Sequence, residues 1–363
     1  MKVLHLIDSL NPGGAQTVVK GIFEKQKNNK DIFLFALRKR DIKTEIDHPN
    51  VFIFNSSRKY SLKPLKDLKQ LIEKEKIDIL HCHLFRSQFT GYLLKKRYFP
   101  NIKLIFHEHG EIFQNHLIYN IFMNKSPKRV NLFIAVSKAT KNELIKKAKI
   151  NPQKIVVLYN FVDTDKFNRK NITWNTQKEK EKLGIQKDEY VIGFVGRLAY
   201  VKGCDILIKA LPHLDFKYKV LIAGDGPERK KLERLADKLG VRDKVIFLGY
   251  VDNPLWVYSL MDVLVVPSRS ESFGISIIEA QSFDIPVVSS DVKGLNEIII
   301  DKENGTLFEG KDSKDLAKKI ETIYSNKDLR KKLIKEGYKN IKRFFWGRCM
   351  GEMSKVYKEV IKE

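Results

Sequence analysis

Short apolar runs of strand length alternate with longer runs of helical periodicity along most of the chain. This alternation predicts parallel βαβ crossovers, because a parallel strand needs a long connection that returns to the same edge of the sheet. Repeated crossovers build a doubly wound α/β sheet. In the first half the pattern predicts strands at Lys2–Ile7, Ile32–Ala36, Val51–Phe54, Ile77–His81, Lys103–His107, Leu132–Val136 and Ile155–Leu158, with helices between them.

The rhythm fades into polar residues over Asp163–Lys187 and then restarts, which predicts a second α/β domain. We place the domains at residues 1–165 and 166–345, and expect the last helix, 346–363, to cross back to the first domain. Ligands of open α/β sheets bind beyond the carboxyl ends of the strands, so both halves are expected to face a cleft. The predicted strands are Tyr190–Val195, Lys219–Ala223, Lys244–Phe247, Asp262–Val266 and Pro286–Ser289, and the helices include Gly203–Leu211, Glu228–Leu239 and Ile275–Phe283.

The composition places the chain among soluble globular proteins. With 363 residues, 43% of them hydrophobic, it can bury a large core, which excludes a disordered protein. No apolar run approaches the ~18 residues of a membrane-spanning helix, and the start, Met1–Asp8, is too short and too polar for a signal peptide. Three scattered cysteines indicate a reducing compartment. We therefore expect a cytoplasmic protein.

The charge is concentrated in the first half of the chain. Of a net charge of +24, residues 1–170 carry +18 and the rest carry +6. A basic half indicates an anionic partner, which could be nucleic acid, an acidic lipid surface or a phosphorylated substrate; the alternative is a lysine-rich background on solvated faces. No pattern typical of a nucleic-acid-binding domain is visible, so no specific nucleic acid is expected as a partner.

Glycines follow the first strand, at Gly13 and Gly14, directly before a helix. Glycine lets backbone N–H groups approach a phosphate at a helix N-terminus, although Gly-Gly is also an ordinary strand-to-helix turn. The chain has neither G-x-G-x-x-G nor G-x-x-x-x-G-K-[ST], which argues against a nicotinamide dehydrogenase and a P-loop NTPase.

Two cations, Arg197 and Lys202, stand five residues apart between a strand and a helix. A planar guanidinium and a compact ammonium together can neutralise a diphosphate without a metal ion. The alternative is a pair of exposed cations without a ligand.

Two carboxylates, Glu271 and Glu279, flank the start of the next predicted cleft-facing helix, where Ser272 is a candidate cap. Carboxylates on either side of a helix N-terminus can bind sugar or ribose hydroxyls while the helix holds a phosphate. For Glu279 a simple surface charge is the alternative, but its neighbours Ile278 and Ala280 are apolar, which favours a functional role.

Four motifs together resemble the retaining glycosyltransferases of family 4, and the resemblance covers nearly the whole chain. They are G-R-L-x₃-K-G from Gly196, A-G-D-G-P from Ala223, E-S-F-G-x₄-E-A from Glu271 and P-V-V-S-S-D from Pro286. The resemblance implies the GT-B fold, in which two Rossmann-like domains with parallel sheets face a central cleft. It implies transfer of a sugar from a nucleotide diphosphate sugar to a saccharide or lipid-linked acceptor, in cell-surface polysaccharide or glycolipid synthesis.

The resemblance also implies roles for individual residues. Arg197 and Lys202 would hold the diphosphate, Glu279 the ribose and Glu271 the transferred sugar, and His109 would stand near the reacting bond. The leaving phosphate oxygen would help to remove the acceptor proton. The implied catalytic residues are His109, Arg197, Lys202 and Glu271, and the implied donor-binding residues are Gly13, Gly14, Phe273, Gly274, Ile275 and Glu279.

No cofactor and no metal ion are expected. The sequence Asp163-Thr164-Asp165 looks like a metal-binding D-x-D, but it lies in the predicted linker. The pairs His81/His83 and His107/His109 each share a strand face and could bind zinc, but no supporting carboxylate is visible, so we interpret His81 and His83 as strand-end groups near the cleft. Lys293 stands where the family often has a glycine before Gly294, which leaves the donor sugar open.

Acceptor specificity is assigned to first-domain loops such as Asn55–Pro64 and Glu111–Lys125. The segment Ile112–Lys125 mixes aromatic and basic residues, and it either packs into the core or docks on lipid. An anionic membrane surface is therefore a further expected partner, with peripheral attachment to the inner face of the cytoplasmic membrane. A GT-B epimerase or a non-catalytic scaffold is the alternative function. The donor base stays open among UDP, GDP and ADP.

Overall fold

The protein consists of two compact units in a computed structural model that describes residues 1–11, 13–39, 46–54, 63–110 and 117–362. The first unit comprises Met1–Asn160 and Gly347–Glu363, and the second comprises Phe161–Trp346. The sequence-based boundaries lay a few residues later, at 165, and one residue earlier, at 345. Parts of both predicted acceptor loops, residues 55–62 and 111–116, lie outside the described residues.

The first unit is a seven-stranded parallel sheet with the strand order β3-β2-β1-β4-β5-β6-β7. Its strands are β1 (Val3–Ile7), β2 (Ile32–Ala36), β3 (Val51–Ile53), β4 (Ile79–His83), β5 (Lys103–Glu108), β6 (Leu132–Ala135) and β7 (Ile155–Val157). Its helices are α1 (Gly14–Gln26), α2 (Pro64–Glu75), α3 (Phe85–Arg97), α4 (Leu117–Lys125), α5 (Lys138–Ala148) and the terminal α13 (Trp346–Lys362).

The two faces of this sheet differ in chemistry, because successive side chains in a strand point to opposite sides. One face carries Leu4, Leu80 and Phe106 into a continuous apolar core. The register pairs His5 with His81, and His83 with His107, so these histidines share the other face. The sheet therefore places a polar cluster opposite its main core.

The second unit is a six-stranded parallel sheet with the strand order β10-β9-β8-β11-β12-β13. Its strands are β8 (Tyr190–Val195), β9 (Tyr218–Ala223), β10 (Val245–Gly249), β11 (Val263–Val266), β12 (Val287–Ser290) and β13 (Thr306–Phe308). Its helices are α6 (Thr176–Lys182), α7 (Cys204–Ala210), α8 (Arg229–Lys238), α9 (Pro254–Leu260), α10 (Ile275–Ser282), α11 (Ser313–Ser325) and α12 (Lys327–Asn340).

The prediction of a doubly wound α/β fold is confirmed, and the errors are local. Helices α6 and α9 and strand β13 were not predicted; each is short, and a run of three to seven residues carries little periodicity. Strand β4 ends at His83 rather than His81. His83 is therefore a strand-end residue, as predicted, whereas His81 lies two residues inside the strand, and both are fully buried.

In each sheet the strand order reverses direction once, beside the first strand of the unit. Strand β1 lies between β2 and β4, and β8 lies between β9 and β11. Ligands of open α/β sheets bind at such a switch point, beyond the carboxyl ends of the strands. The loops after β1 and β8 carry Gly13 and Arg197, so the predicted binding motifs lie where the topology favours a site. Among the described residues, no helix is long and apolar enough to cross a membrane.

Two helical glycines in the first unit give a matched test of the packing. A Cβ at Gly91 in α3 would lie 2.5 Å from Cys82 Sγ, whereas one at Gly351 in α13 would meet nothing within 4 Å. We expect Gly91→Ala to lower the free energy of unfolding by about 1–3 kcal/mol through overpacking. Gly351→Ala should raise it by up to about 1 kcal/mol through helix propensity. Urea-unfolding midpoints that move in the same direction would contradict this packing.

Candidate functional site

The loop after β8 brings the two predicted cations to the carboxyl edge of the second sheet. Arg197 is exposed, and among the described residues its guanidinium makes no ion pair. Lys202 lies one turn further, before Gly203, which has a φ of +65°. A Cβ at Gly203 would lie 1.9 Å from the carbonyl oxygen of Pro267. Glycine at this position therefore lets the loops after β8 and β11 touch through their backbones.

Lys202 and Glu271 form an ion pair through Nζ and Oε2. The hydroxyl of Ser268 lies 3.4 Å from the same carboxylate oxygen. The two side chains are partly buried, so the pair holds a cation and a carboxylate next to each other at the strand ends. The structure thus joins two residues that the sequence analysis had assigned separately to the diphosphate and to the sugar.

Backbone contacts fix the loop that carries Glu271. A Cβ at Gly294 would lie 2.0 Å from the carbonyl oxygen of Glu271, so the loop after β12 packs directly on this residue. Ser290 donates a hydrogen bond of 2.6 Å to the carbonyl oxygen of Ser268. Lys293, the departure from the family pattern, is exposed beside Gly294. The glycine that the close approach requires is therefore retained.

Helix α10 begins at Ile275, after Gly274 in the left-handed region with a φ of +88°. No side chain caps it, so the prediction that Ser272 is the cap was wrong. The backbone N–H groups of Ile275 and Ser276 therefore have no side-chain cap at the carboxyl edge of the sheet, where an anion would be stabilised. Phe273 is buried against Phe344, with ring centroids 5.4 Å apart, and anchors the turn.

Glu279 lies one turn into α10 and accepts a hydrogen bond of 2.7 Å from the hydroxyl of Tyr258. Burial raises the pKa of Glu279 to about 7, although the Tyr258 hydrogen bond and the charge of Lys166 act in the opposite direction. The sequence analysis missed Tyr258 because it lies on the unpredicted helix α9.

Arg269 is a second residue that the sequence analysis missed. It makes two hydrogen bonds, of 2.7 and 2.8 Å, to the carboxylate of Asp205 and lies over the ring of Tyr200 at 4.1 Å. This bidentate arrangement connects the loop after β11 to α7 and to the loop after β8. Its position two residues before the E-S-F-G motif was the available signal.

In the first unit, Gly13 and Gly14 lie at the start of α1. Gly14 is the first helical residue, and a Cβ at Gly13 would lie 2.4 Å from Oε1 of Gln16. His109 follows β5 and belongs to the same unit, at the carboxyl edge of the sheet.

His109 ends a chain of hydrogen-bonded rings in the first unit. His83 Nδ1 lies 2.8 Å from His109 Nε2, and His83 Nε2 lies 3.0 Å from His5 Nδ1. The hydroxyl of Tyr357, on α13, lies 3.5 Å from His5 Nε2 and 2.7 Å from His81 Nδ1. His81 Nε2 continues the chain at 3.2 Å to Nδ1 of the other terminal ring, His107. His5 and Tyr357 were missed because they are far from the histidine pairs in sequence.

Burial keeps these histidines neutral at physiological pH. It lowers the pKa of His5 and of His109 to about 3, and it lowers the pKa of His81, His83 and His107 well below the ordinary range, where neighbouring histidines add repulsion. Two groups of three, His5/His81/His83 and His83/His107/His109, each bring three ring nitrogens within 4.8 Å of one another. The expectation that the protein needs no metal stays a prediction.

The raised pKa of Glu279 predicts a pH-dependent stability. The pKa is about 7 in the folded protein and ordinarily 4.5, so folding is disfavoured progressively as the pH rises from 4.5 to 7. Glu279→Gln removes this penalty, and between pH 5 and pH 8 the variant should gain about 2 kcal/mol of unfolding free energy relative to the wild type. Urea unfolding at the two pH values measures the difference.

Glu336→Gln is the matched control for this experiment. The hydrogen bond from Lys339 lowers the pKa of Glu336, so its stabilising effect is present at high pH and lost as the pH falls. This variant should therefore gain no stability with rising pH. If Glu279→Gln behaved in the same way, Glu279 would not be a carboxyl with a raised pKa.

Comparisons with known proteins agree with the fold and the motifs. The sequence model of Glycosyltransferase Family 4 matches residues 12–166, and that of Glycosyl transferases group 1 matches residues 175–340. The chain is 33% identical over 346 residues to the uncharacterized glycosyltransferase MJ1178 of Methanocaldococcus jannaschii, which covers 92% of each protein. It is 28% identical over 304 residues to the O-antigen biosynthesis glycosyltransferase WclY of Escherichia coli, covering 80% of each.

Among solved structures, the chain has the fold of Anabaena HepE in complex with UDP and glucose. The TM-score is 0.88 at 23% identity, over 99% of this chain and 100% of that one. The resemblance inferred from the motifs is thereby confirmed. The chain belongs to the family 4, group 1 glycosyltransferases and has their GT-B fold.

Proposed function

We propose that this glycosyltransferase moves a sugar from a UDP-sugar to a saccharide or lipid-linked acceptor, with retention of configuration and without a metal ion. The observation that carries the proposal is the Lys202–Glu271 ion pair at the switch point of the second sheet. Arg197 follows β8, and the helix that carries Glu279 follows β11, the strand beside β8. HepE, which shares the fold and was solved in complex with UDP and glucose, supports UDP as the nucleotide.

The cations supply the site for the diphosphate. Arg197 is exposed at the end of β8, and Lys202 is paired with Glu271, so a bound diphosphate would share the lysine with this carboxylate. The uncapped N–H groups at Ile275 add donors for the phosphate nearer the sugar. Arginine, lysine and helix N-terminus together can stabilise the charge of the leaving diphosphate, which is the metal-independent part of the proposal.

The carboxylates supply the sites for hydroxyl groups. Glu279, oriented by Tyr258, would accept hydrogen bonds from the ribose, and Glu271 would accept them from the transferred sugar beside the backbone of Phe273 and Gly274. In the first unit, Gly13 and Gly14 would bind the phosphate with backbone N–H groups, and His109 would contact the sugar. These roles follow the family pattern residue by residue.

The reaction would then proceed on one face of the sugar. The bond from the anomeric carbon to the diphosphate breaks, and the bond from that carbon to the acceptor oxygen forms on the same side. The departing phosphate oxygen takes the acceptor proton, so no protein side chain needs to act as a base. Stabilisation of the leaving group by fixed positive charge is the main contribution of the protein.

A surface of the first unit supports a role at the membrane, in cell-surface polysaccharide or glycolipid synthesis. Phe85, Phe89 and Ile121 are exposed on α3 and α4, and Lys125 and Lys128 follow them. Phe122, by contrast, is buried between α3 and the sheet, so α4 both packs into the core and leaves an apolar strip outside. The relative WclY, named for O-antigen biosynthesis, supports the same class of product.

A nucleotide panel tests the donor. We expect UDP to raise the melting temperature by a few degrees at ~100 times its dissociation constant, where binding adds about 2.7 kcal/mol. GDP and ADP should have smaller effects, and EDTA should change none of them. A shift that requires a divalent metal would overturn metal independence, and the absence of any nucleotide shift would favour a scaffold.

Glu271→Gln separates nucleotide binding from sugar chemistry. Without the carboxylate charge, Lys202 is free of its partner, so UDP should bind at least as tightly as it does to the wild type. Release of UDP from UDP-glucose should fall about tenfold or more, because hydrogen bonds to a charged acceptor are lost. Glu336→Gln changes the same charge in an ion pair with Lys339 on α12 and should alter neither quantity. Equal turnover by the two variants would remove Glu271 from the mechanism.

Vesicle co-sedimentation tests the membrane surface. The wild type should bind vesicles that contain anionic phosphatidylglycerol, and less so at high salt, because both apolar and basic side chains contribute. Phe89→Gln combined with Ile121→Gln should weaken binding about tenfold or more. The control is Ile300→Gln, since Ile300 is equally exposed on the second unit. Equal loss in the control would contradict a specific surface.

A further inference from the structure

Arg269 contacts both loops that carry the ion pair of the second unit, those after β8 and β11. Its backbone N–H donates a hydrogen bond of 2.8 Å to the carbonyl oxygen of Val201. Its Nη1 donates another of 2.8 Å to the carbonyl oxygen of Tyr200. Arg269 stands two residues before Glu271, and Tyr200 stands two residues before Lys202. Arg269 therefore joins the two loops just before each member of the ion pair.

The carboxylate of Asp205 fixes the direction of the Arg269 guanidinium. Nη1 and Nη2 donate hydrogen bonds of 2.7 and 2.8 Å to the two carboxylate oxygens, in the bidentate geometry that a planar fork favours. Asp205 lies in the first turn of α7, so a helix carries this acceptor. The centroid of the Tyr200 ring lies 4.1 Å from Cζ of Arg269. The carboxylate and the ring therefore restrict the guanidinium to one orientation.

The same contacts make Arg269 poorly suited to binding an anion itself. Asp205 and the Tyr200 carbonyl oxygen occupy both terminal nitrogens, and Nε is buried, without a partner among the described residues. Asp205 also neutralises the charge of Arg269, although it is shared with the exposed Lys209 at 3.2 Å. Only 13% of the Arg269 side chain is exposed. An arginine whose charge is neutralised and whose fork is occupied can order a loop but offers a diphosphate little.

We propose that Arg269 is a positioning residue for the Lys202–Glu271 ion pair and that it acts through Asp205 and the backbone of Tyr200. The ion pair forms between two loops, so it depends on the distance between their backbones. Gly203 lets the loops approach, and Arg269 keeps them at that distance. The inference rests on the proposed function only where it links the ion pair to sugar transfer.

A triple-mutant cycle tests the positioning without any ligand. The coupling between Lys202→Met and Glu271→Gln is measured by urea unfolding, first in the wild-type background and then in Arg269→Gln. We expect coupling in the wild-type background and the loss of at least half of it in Arg269→Gln. A purely structural arginine would lower the unfolding midpoint and leave the coupling unchanged. That result, or a wild-type background without coupling, would overturn the inference.

Arg169→Gln is the matched control. Arg169 also donates to a backbone carbonyl oxygen, that of Phe283 at 3.0 Å, and lies over an aromatic ring, but Phe283 follows the end of α10 whereas Glu271 precedes its start. This variant loses the same charge and should keep the wild-type coupling. Equal loss of coupling in Arg169→Gln and Arg269→Gln would contradict a specific role of Arg269.

Arg269→Lys separates the fork from the charge. Lysine keeps the positive charge but cannot bind a carboxylate through two parallel donors, so we expect a loss of coupling close to that in Arg269→Gln. Wild-type coupling in Arg269→Lys would show that charge alone suffices and would overturn the proposed positioning. If Arg269→Gln does not fold, the same cycle in Asp205→Asn decides, with loss of coupling as the expected result.

Turnover separates positioning from direct binding of the diphosphate. Arg269→Gln and Asp205→Asn should each lower the release of UDP from UDP-glucose by about threefold or more, because each loosens the loop of Glu271. If the guanidinium itself bound the diphosphate, Asp205→Asn would free it, and faster release in this variant would overturn the inference. Asp215→Asn, an exposed aspartate of the same unit, is the control and should release UDP at the wild-type rate.

The two measurements fail independently. A wild type that binds no UDP would remove the proposed function, while the cycle between Lys202 and Glu271 would still decide the role of Arg269. UDP binding by the wild type together with an unchanged coupling in Arg269→Gln would remove only this inference.

Discussion

Backbone-to-backbone contacts between the loops of the second unit are the constraint on which its candidate site depends. At Gly203, Gly224 and Gly294 a Cβ would lie within about 2 Å of a carbonyl oxygen of the neighbouring loop, namely that of Pro267, Gly196 and Glu271. Any other residue would force these loops apart. Because β8, β9, β11 and β12 end at the same edge, the contacts bring Lys202 and Glu271 into an ion pair, and Arg197 follows β8 at that edge. The charges of the site are therefore positioned by a rigid framework rather than by side-chain flexibility.

Both units hold an ion pair at a switch point, but the two pairs differ in their exposure to solvent. In the second unit Lys202 and Glu271 neutralise each other, and Arg197 supplies the excess charge in the open. In the first unit Arg38 is paired with Asp8, and both side chains are largely buried. Solvent screens the exposed charge of Arg197, whereas it screens the buried pair of Arg38 and Asp8 much less. The basic composition of residues 1–170 would not have revealed this difference, since most of those lysines lie on solvated faces.

The sequence predicted what depends on local pattern. Parallel strands buried on both faces form long apolar runs, so β1, β2, β8 and β9 were located within a residue or two. The residues of the G-R-L-x₃-K-G and E-S-F-G motifs were found for the same reason, since their spacing is local. Contacts between distant segments could not be predicted: Tyr258 reaches Glu279 across 21 residues, and Tyr357 reaches His81 across 276. The capping prediction for Ser272 failed because glycine at 274 took the left-handed turn instead.

The histidine chain illustrates how such distant contacts set chemistry. Five neutral histidines and Tyr357 each carry one proton, and they are joined by five hydrogen bonds, from His107 at one end to His109 at the other. If all five hydrogen bonds are donated in the same direction along the chain, the terminal nitrogen at one end carries an N–H group and the terminal nitrogen at the other end carries a lone pair. Those ends, His107 Nε2 and His109 Nδ1, are the nitrogens without partners among the described residues. A cation bound by both end nitrogens would need a lone pair on each of them. The Tyr357 hydroxyl would then accept hydrogen bonds from both His81 and His5, and its own proton would have no acceptor in the chain. The intact chain therefore has one donor end and one acceptor end.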